Sequence, residues 1–274
     1  MKGGLSETQQ KLIEWLEQNN HWFVTAKEIA AFLSMNETQA HSLGFALSLK
    51  KWFATLGHDQ YLLLKSTQDR PLPFLHPLTI GSKLVDPYYF SFHTAASYHK
   101  LIPPNNQQVY LVTTTIRNNT EIRDVSYRFI HVTPRKFFGY VPVIMGGTTI
   151  NMADKEKTLI DSLEKFKYIG GLSEIIRILK NAIETLDVQR LVDYTVLMGS
   201  STLIQRLGYI LDHLEVDYDE EFLKSYSLGV LTYFDPLNTY DQKPKRDEKW
   251  NLMINIPDSL FKKEPYSQAL NSFS

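Results

Sequence analysis

The chain has no cysteine among its 274 residues. This absence excludes a disulfide-stabilised scaffold, a zinc site with cysteine ligands and catalysis by a thiol. The chain also lacks an apolar run of the roughly 18 residues that a membrane-spanning helix needs, and its first residues contain no apolar signal-peptide core. We therefore expect a cytoplasmic protein that has no membrane partner.

A strong positive charge is missing as well, since the formal net charge is −1. Residues 1–66 contain six lysines, six acidic residues and no arginine. Residues 67–150 carry a net charge of +4, and residues 151–274 carry a net charge of −5. No segment is basic enough to predict nucleic-acid binding from composition, so any contact with DNA must come from the local placement of side chains.

The common catalytic and metal-binding motifs are absent too. The sequence contains no nucleophile elbow, no HExxH and no EF-hand loop, and its two glycine pairs lack the strand–glycine–helix spacing of a phosphate-binding loop. His93 and His99 are six residues apart, so on one helix they would face different sides. We interpret them as surface or capping histidines rather than metal ligands.

One group of carboxylates and a lysine remains, at the start of a predicted helix. Asp154 is well placed to cap this helix, and Lys157 and Asp161 have the i, i+4 spacing of a helix ion pair. A nuclease built on Asp154 and Glu156 is the weakest of the alternatives. We expect a protein that is not an enzyme and that needs no cofactor.

The clearest structural pattern lies in the first 66 residues, which predict three short helices followed by a β-hairpin. Ser6, Thr25 and Asn36 are the predicted N-cap residues, and Thr25 with Glu28 has the spacing of a capping box. Extended segments within 53–64 predict the hairpin. This order is typical of a winged helix-turn-helix, in which the hairpin is the wing.

In that geometry the N-terminal half of the third helix enters the major groove of DNA. The residues predicted to contact DNA there are Thr38, Gln39, His41 and Ser42, with Lys50 and Lys51 near the phosphate backbone. A second basic set lies on predicted strands and their loops: Arg117, Arg123, Arg128, Arg135 and Lys136. We predict that the four arginines of this set help to bind DNA phosphate, although the set could also hold an acidic partner or be solvated. The neutral charge of 1–66 leaves open the alternative that the winged helix binds a protein instead of DNA.

The rest of the chain predicts a linker over 67–86, rich in proline, and a second domain over 87–274. Predicted strands of the second domain lie at 109–114, 126–132, 137–141, 148–152 and 250–256. Its predicted helices begin at Ser91, Asp154, Leu172, Asp187 and Ser201, and the charged run 243–249 is predicted to be a loop. The expected fold is α+β: an N-terminal winged helix-turn-helix and a larger domain with a small sheet and several helices.

Several segments, in this order along the chain, resemble the AbiEi family of antitoxins from type IV toxin–antitoxin (abortive infection) systems. The segment that begins FVTAKEIAAFLSMNETQAHSLGF resembles the winged helix of the family, and ADKEKTLIDSLEKFKYIGGLSEI resembles its most specific motif. Further similar segments are PYYFSFHTAASYHKL, VYLVTTTIRNN, YRFIHVTPRKFFGY, RLGYILDHL and WNLMINIP.

The resemblance implies a bacterial antitoxin that also represses its own operon. Its winged helix would bind inverted repeats in the promoter, which makes operator DNA the first expected partner. Its C-terminal antitoxin domain would counter a nucleotidyltransferase toxin encoded beside it, with or without a stable complex. The family often has a basic residue near the tip of the wing, where this chain has the sequence Gly57-His58-Asp59-Gln60-Tyr61.

Overall fold

A computed structural model describes residues 4–57, 59–68, 71–105, 107–237 and 243–262. These residues form two compact units. The first unit lies within Met1–Tyr88, Asn106–His131 and Pro142–Asn151, and the second within Tyr89–Asn105, Val132–Val141 and Met152–Ser274. The sequence-based division placed all of 87–274 in one domain, whereas in the structure 106–131 and 142–151 belong to the unit that contains the winged helix.

The N-terminal part of the first unit has the predicted order of elements. The helices and strands are α1 (Glu7–Gln18), β1 (Phe23–Thr25), α2 (Ala26–Leu33), α3 (Glu37–Leu49), β2 (Phe53–Thr55) and β3 (Gln60–Leu63). The strands form an antiparallel sheet in the order β1-β3-β2. This confirms the predicted winged helix-turn-helix arrangement of three helices and a hairpin. His58, at the predicted tip of the wing, lies outside the described residues.

Local hydrogen bonds explain where the three helices begin. Ser6, Thr25 and Asn36 each accept a hydrogen bond from the backbone N–H three residues later, and the side chain of that later residue accepts from the cap backbone. These capping boxes satisfy backbone donors that the first turn of a helix leaves unpaired. The buried faces then meet in one core, which includes Leu12, Ile13, Leu16, Ile29, Leu47 and Phe53.

The rest of the first unit contains the predicted linker and the strands after it. Its elements are α4 (Pro77–Gly81), β5 (Gln108–Thr113), β6 (Thr120–Ile122) and β7 (Val125–His131), and β7 pairs parallel with β5 and antiparallel with β6. The linker is held at two points. Thr67 donates hydrogen bonds to the buried carboxylate of Glu17, and the hydroxyl of Tyr127 donates to the Pro77 carbonyl.

Three strands carry residues of both units: β4 (Tyr88–Phe90), β8 (Tyr140–Met145) and β9 (Thr148–Ala153), with β9 between the other two. The predicted strand at 137–141 is therefore shifted. A 3₁₀ turn occupies Pro134–Lys136, and Gly139 has a left-handed backbone with a φ of +72°. Both features interrupt an extended chain, so the strand begins at Tyr140.

The second unit is mainly helical. Its helices are α5 (Phe92–Tyr98), α6 (Lys155–Glu164), α7 (Leu172–Ala182), α8 (Val188–Met198), α9 (Ser201–His213) and α10 (Glu220–Ser225). A small sheet of β10 (Thr232–Tyr233), β11 (Lys245–Asp247) and β12 (Leu252–Ile254) has β12 in its centre. A single apolar cluster joins α6, α7, α8 and α9 with this sheet. The α+β class predicted from the sequence is confirmed.

Some predicted boundaries in this unit were wrong. The helix that begins after Asp154 ends at Glu164 and is followed by a 3₁₀ turn at Phe166–Tyr168, whereas the sequence pattern predicts that it continues to the glycine pair Gly170-Gly171. The charged run 243–249 contains β11 instead of being a loop throughout. Pairing with β12 supplies the hydrogen bonds of this strand, and such long-range pairing overrides a local composition that disfavours strands. In the described part of the chain, no helix is both long enough and apolar enough to cross a membrane.

Candidate nucleic-acid interface

The outward face of α3 is polar at its N-terminal end. Thr38, Gln39 and Ser42 are exposed, and His41 is half-buried. The Ser42 hydroxyl donates to the Thr38 carbonyl, at 3.0 Å, and the Gln39 side chain accepts from the Asn36 backbone in the capping box. Thr38 and Ser42 are one helical turn apart, so their side chains lie on the same face.

The same face becomes apolar toward the C-terminal end of α3. Phe45 is 60% exposed and Leu49 is 70% exposed. Together with Thr38 and Ser42 they repeat at intervals of three or four residues, which defines one stripe along the helix. Phe45 and Leu49 were not among the residues predicted from the sequence, although their spacing from Ser42 was the signal that could have identified them.

Two contacts join the wing to α3. The Nε2 atom of His41 lies 3.3 Å from Oδ1 of Asp59, and the hydroxyl of Tyr61 donates to the His41 carbonyl at 3.4 Å. The side chain of Asp59 is 67% exposed. An exposed carboxylate at this place repels a phosphate.

The two lysines after α3 have different environments. The ammonium group of Lys50 donates to the Gly4 carbonyl at 2.6 Å and to Oε1 of Gln9 at 2.8 Å, so it joins the end of α3 to the start of α1. Lys51 is exposed and has a φ of +58°, and its side chain has no hydrogen-bond or ion-pair partner within the described ranges. Of the two, Lys51 has the ammonium group that can reach a phosphate without first breaking a contact.

Two of the predicted arginines lie against the winged helix. Arg123 donates to the Leu63 carbonyl at 2.9 Å and to the Pro73 carbonyl at 3.2 Å. Arg117 donates to the Leu56 carbonyl at 3.5 Å. Burial lowers the pKa of each of these two guanidinium groups below the ordinary value for arginine. These contacts hold the strand ends and the linker, and they use donors that the sequence analysis assigned to DNA.

The other two predicted arginines do not share this location. Arg128 is half-buried on β7. Arg135 belongs to the second unit, where its Nε atom donates to the Leu197 carbonyl at 3.2 Å. The four arginines are therefore not one patch on the first unit.

The carboxylate and lysine group on α6 is buried. The ammonium of Lys157 lies 2.5 Å from Oδ1 of Asp161, and the two side chains are 0% and 4% exposed. Oδ2 of Asp161 accepts hydrogen bonds from the hydroxyls of Tyr89, at 3.1 Å, and Ser91, at 2.8 Å. Burial and the charge of Asp161 raise the pKa of Tyr89 well above its ordinary value. The group joins α6 to the strand before α5.

The remaining carboxylates of this group have structural partners. Asp154 caps α6 through the Lys157 backbone at 2.7 Å and accepts from the Tyr194 hydroxyl at 2.8 Å. Burial raises the pKa of Asp154, although both of these hydrogen bonds act in the opposite direction. Glu156 accepts from the backbone of Asp187 at 2.9 Å and lies 3.7 Å from Arg190. Both carboxylates thus anchor the ends of helices.

The two histidines singled out from the sequence have different surroundings. His99 lies 2.7 Å from the Ala153 carbonyl, and burial lowers the pKa of His93. Across the described ranges, no group of three or more metal-ligating side chains has the arrangement of a metal site.

Comparison with known proteins identifies the fold only. No family model matches the chain, and no curated protein matches it in sequence. The structure is similar to the crystal structure of the RV2827C protein from Mycobacterium tuberculosis, with a TM-score of 0.61, 12% sequence identity and 94% of each chain covered. At this identity the similarity shows a shared fold over nearly the whole chain.

Proposed function

We propose that this protein is a transcriptional autorepressor and antitoxin of a type IV toxin–antitoxin operon and that it acts in the cytoplasm. The winged helix binds inverted repeats in its own promoter. The second unit counters a nucleotidyltransferase toxin encoded beside it. The resemblance of the sequence to AbiEi antitoxins motivates both parts of this proposal.

The observation that carries the DNA-binding part is the open polar face at the N-terminal end of α3. Thr38 and Ser42 are exposed on the face that a winged helix presents to the major groove. This groove is about 12 Å wide and accepts an α-helix, and hydroxyl side chains can bond to the edge of either base of a pair. Both residues are thus suited to reading bases.

The charge distribution predicts that binding depends weakly on salt. Lys50 is held by Gly4 and Gln9, so Lys51 remains as the lysine at the end of α3 that is available to a phosphate. Each neutralised phosphate contributes about −0.9 to the slope of log K against log salt. We expect a slope that corresponds to about one to three phosphates for each winged helix.

The test is the binding of the full chain to DNA from upstream of its own gene, measured as a salt series against a scrambled duplex. Replacing Thr38 and Ser42 with Ala should weaken binding to the specific duplex and leave the scrambled duplex unchanged. The matched control is Ser173→Ala, which removes an exposed hydroxyl from the first turn of α7. Equal binding of both duplexes by the wild type would contradict the repressor role.

The antitoxin part needs a separate readout, which is the growth of cells that express the neighbouring toxin. If the second unit counters the toxin, the Thr38→Ala, Ser42→Ala variant should lose repression of the promoter and still protect the cells. A variant that lost both functions while remaining folded would argue against this division of labour.

A second candidate function, a protein-interaction module, is favoured by the apolar part of α3. Phe45 and Leu49 are exposed beside an almost neutral surface, and exposed apolar residues of this size often mark protein contacts. If the winged helix binds a protein, replacing Phe45 and Leu49 with Ser should abolish that association. Under this alternative, the full chain should not retain upstream DNA even at low salt.

A further inference from the structure

Arg206 is a buried cation whose hydrogen bonds, among the described residues, go to carbonyl groups and not to an anion. It lies on α9 and is 6% exposed. Its Nε atom donates to the Phe234 carbonyl at 2.8 Å, and Nη2 lies 3.4 Å from the Tyr233 carbonyl. The guanidinium carbon lies 5.5 Å from the centre of the Phe166 ring. In the described part of the chain, no carboxylate lies within ion-pair distance of this group.

This arrangement is unusual because arginines are rarely buried unless they are paired with an anion. Two neutral carbonyls use only part of the five N–H donors of a guanidinium. Burial lowers the pKa of Arg206, and the charge of Asp235 counteracts this from a longer distance. An anion placed beside the guanidinium would offset the cost of burying its charge.

A cavity of about 300 Å³ lies beside Arg206, and two further cations line it. Lys165 is half-buried and has no acidic partner within the described ranges. Lys167 is exposed, and its ammonium lies 4.8 Å from the centre of the Tyr168 ring. Glu164, at the same cavity, is already paired with Lys136. The cavity therefore has an excess of positive charge.

A further part of the cavity lining is apolar or aromatic. It includes Tyr168, Pro236 and Leu237, and Leu237 is 67% exposed. Such a lining packs well against a planar aromatic group, as bases do against aromatic side chains. The volume lies at the lower end of the range for small-molecule sites, about 300–1,000 Å³.

We propose that this cavity binds a nucleotide, with its phosphate on Arg206, Lys165 and Lys167 and its base against Tyr168, Pro236 and Leu237. A phosphoryl group fits a site with three cations better than a carboxylate ligand does, because a phosphoryl group carries up to two negative charges and a carboxylate carries one. The planar guanidinium fork also matches its oxygens. The nucleotide is either free or the terminal residue of a nucleic-acid strand. This site lies on the second unit and is independent of the winged helix.

The test is equilibrium binding of the four nucleoside 5′-monophosphates to the full chain, with inorganic phosphate and the unphosphorylated nucleosides as comparisons. At least one monophosphate should bind more tightly than phosphate alone and more tightly than its nucleoside. No binding of any monophosphate at about 5 mM, where sites with millimolar dissociation constants are occupied, would overturn the proposal. Equal affinity for the monophosphate and inorganic phosphate would overturn the assignment of the base.

Substitutions of the two lysines locate the site without disturbing Arg206, whose hydrogen bonds to Tyr233 and Phe234 are part of the fold. The Lys165→Ala, Lys167→Ala variant should lose about tenfold or more in affinity, as expected for charge-assisted hydrogen bonds. The matched control is Lys155→Ala, at the opposite end of α6, which should bind as the wild type does. Unchanged affinity in the double variant would overturn the proposed site.

A 5′-phosphorylated oligonucleotide distinguishes the two sources of the nucleotide. Binding more than tenfold tighter than that of the monophosphate identifies the end of a strand as the ligand, and equal or weaker binding identifies the free nucleotide. Replacing Thr38 and Ser42 with Ala should leave the binding of the monophosphate unchanged. If the protein did not bind promoter DNA, the measured binding of the monophosphate would therefore still test this site.

Discussion

Tyr61 packs on α3 at the position of Gly44, where no larger residue fits. A Cβ atom added to Gly44 would lie 2.4 Å from the Cζ atom of the Tyr61 ring. Glycine inside a helix costs about 1 kcal/mol relative to alanine, so its presence here needs a structural reason. That reason is the close approach of the wing to the helix that carries Thr38 and Ser42.

The first prediction is that Gly44→Ala destabilises the protein although alanine favours the helix. Relief of this overlap requires the rigid ring of Tyr61 to move, and overpacking of this kind costs about 1–3 kcal/mol. Urea denaturation should measure the loss. In the Tyr61→Leu background the same substitution should cost at least about 1 kcal/mol less, because the two residues are in contact. Equal costs in both backgrounds would contradict the packing argument.

The relation between Gly44 and Tyr61 also illustrates what the sequence could and could not predict. The starts of the helices at Ser6, Thr25 and Asn36 depend on bonds that span three residues, so local pattern was sufficient. The polar face of α3 followed from helical spacing in the same way. The reason for a glycine within that helix depends on a strand that follows later, and no local pattern contains it.

The same limit applies to the charged residues. Lys157 and Asp161 were correctly paired from their spacing, but their burial depends on Tyr89, which is 72 residues from Asp161. Ser91 was correctly placed before α5, yet its hydroxyl bonds to Asp161 instead of capping the helix. Partners distant in the sequence thus decide the environment of a charge, and helical spacing cannot reveal them.

The second prediction concerns this buried pair. Lys157→Met leaves the Asp161 carboxylate in the core without a cation, although Tyr89 and Ser91 still donate to it. Removing one partner of a buried ion pair typically costs about 3–5 kcal/mol. Urea denaturation should detect a loss of that size.

Two further variants test the origin of this loss. In the Lys157→Met, Asp161→Asn variant neither member of the pair carries a charge, so it should recover at least about 1 kcal/mol relative to the single variant. Lys155→Met, at a half-buried position of the same helix, should change stability by less than about 0.5 kcal/mol. A small effect of Lys157→Met would mean that the pair contributes little to folding.

The third prediction is a pH dependence at Asp212. Its carboxylate accepts hydrogen bonds from the Trp250 indole at 2.6 Å and the Tyr218 hydroxyl at 2.8 Å, and it pairs with Lys249 at 2.8 Å. Burial acts to raise the pKa of Asp212, but these three partners outweigh it and hold the pKa below its ordinary value. A lowered pKa in the folded state stabilises the fold at a pH above the unfolded value and ceases to do so as the pH falls through the folded value.

Asp212→Asn should therefore cost about 1–3 kcal/mol at neutral pH, as expected for hydrogen bonds to a charged group. The difference from the wild type should shrink below about pH 4, where the unfolded aspartate becomes protonated. Denaturation followed by tryptophan fluorescence at a series of pH values provides the measurement. Asp193→Asn, at an exposed position of α8, is the control and should show no such dependence. A constant difference between pH 3 and 7 would exclude this role for Asp212.

The last prediction separates the two lysines at the end of α3. Lys51 is exposed and unpaired within the described ranges, so Lys51→Gln should weaken DNA binding by a similar factor for all sequences. The slope of log K against log salt should also fall by about 0.9, which is the contribution of one phosphate. Lys50→Gln should instead lower the free energy of unfolding, because its ammonium bonds to Gly4 and Gln9. Lys245→Gln, on the second unit, should change neither quantity. If Lys50→Gln reduced the salt slope as much as Lys51→Gln does, Lys50 would leave its partners in the complex, and the contact between α3 and α1 would break when DNA binds.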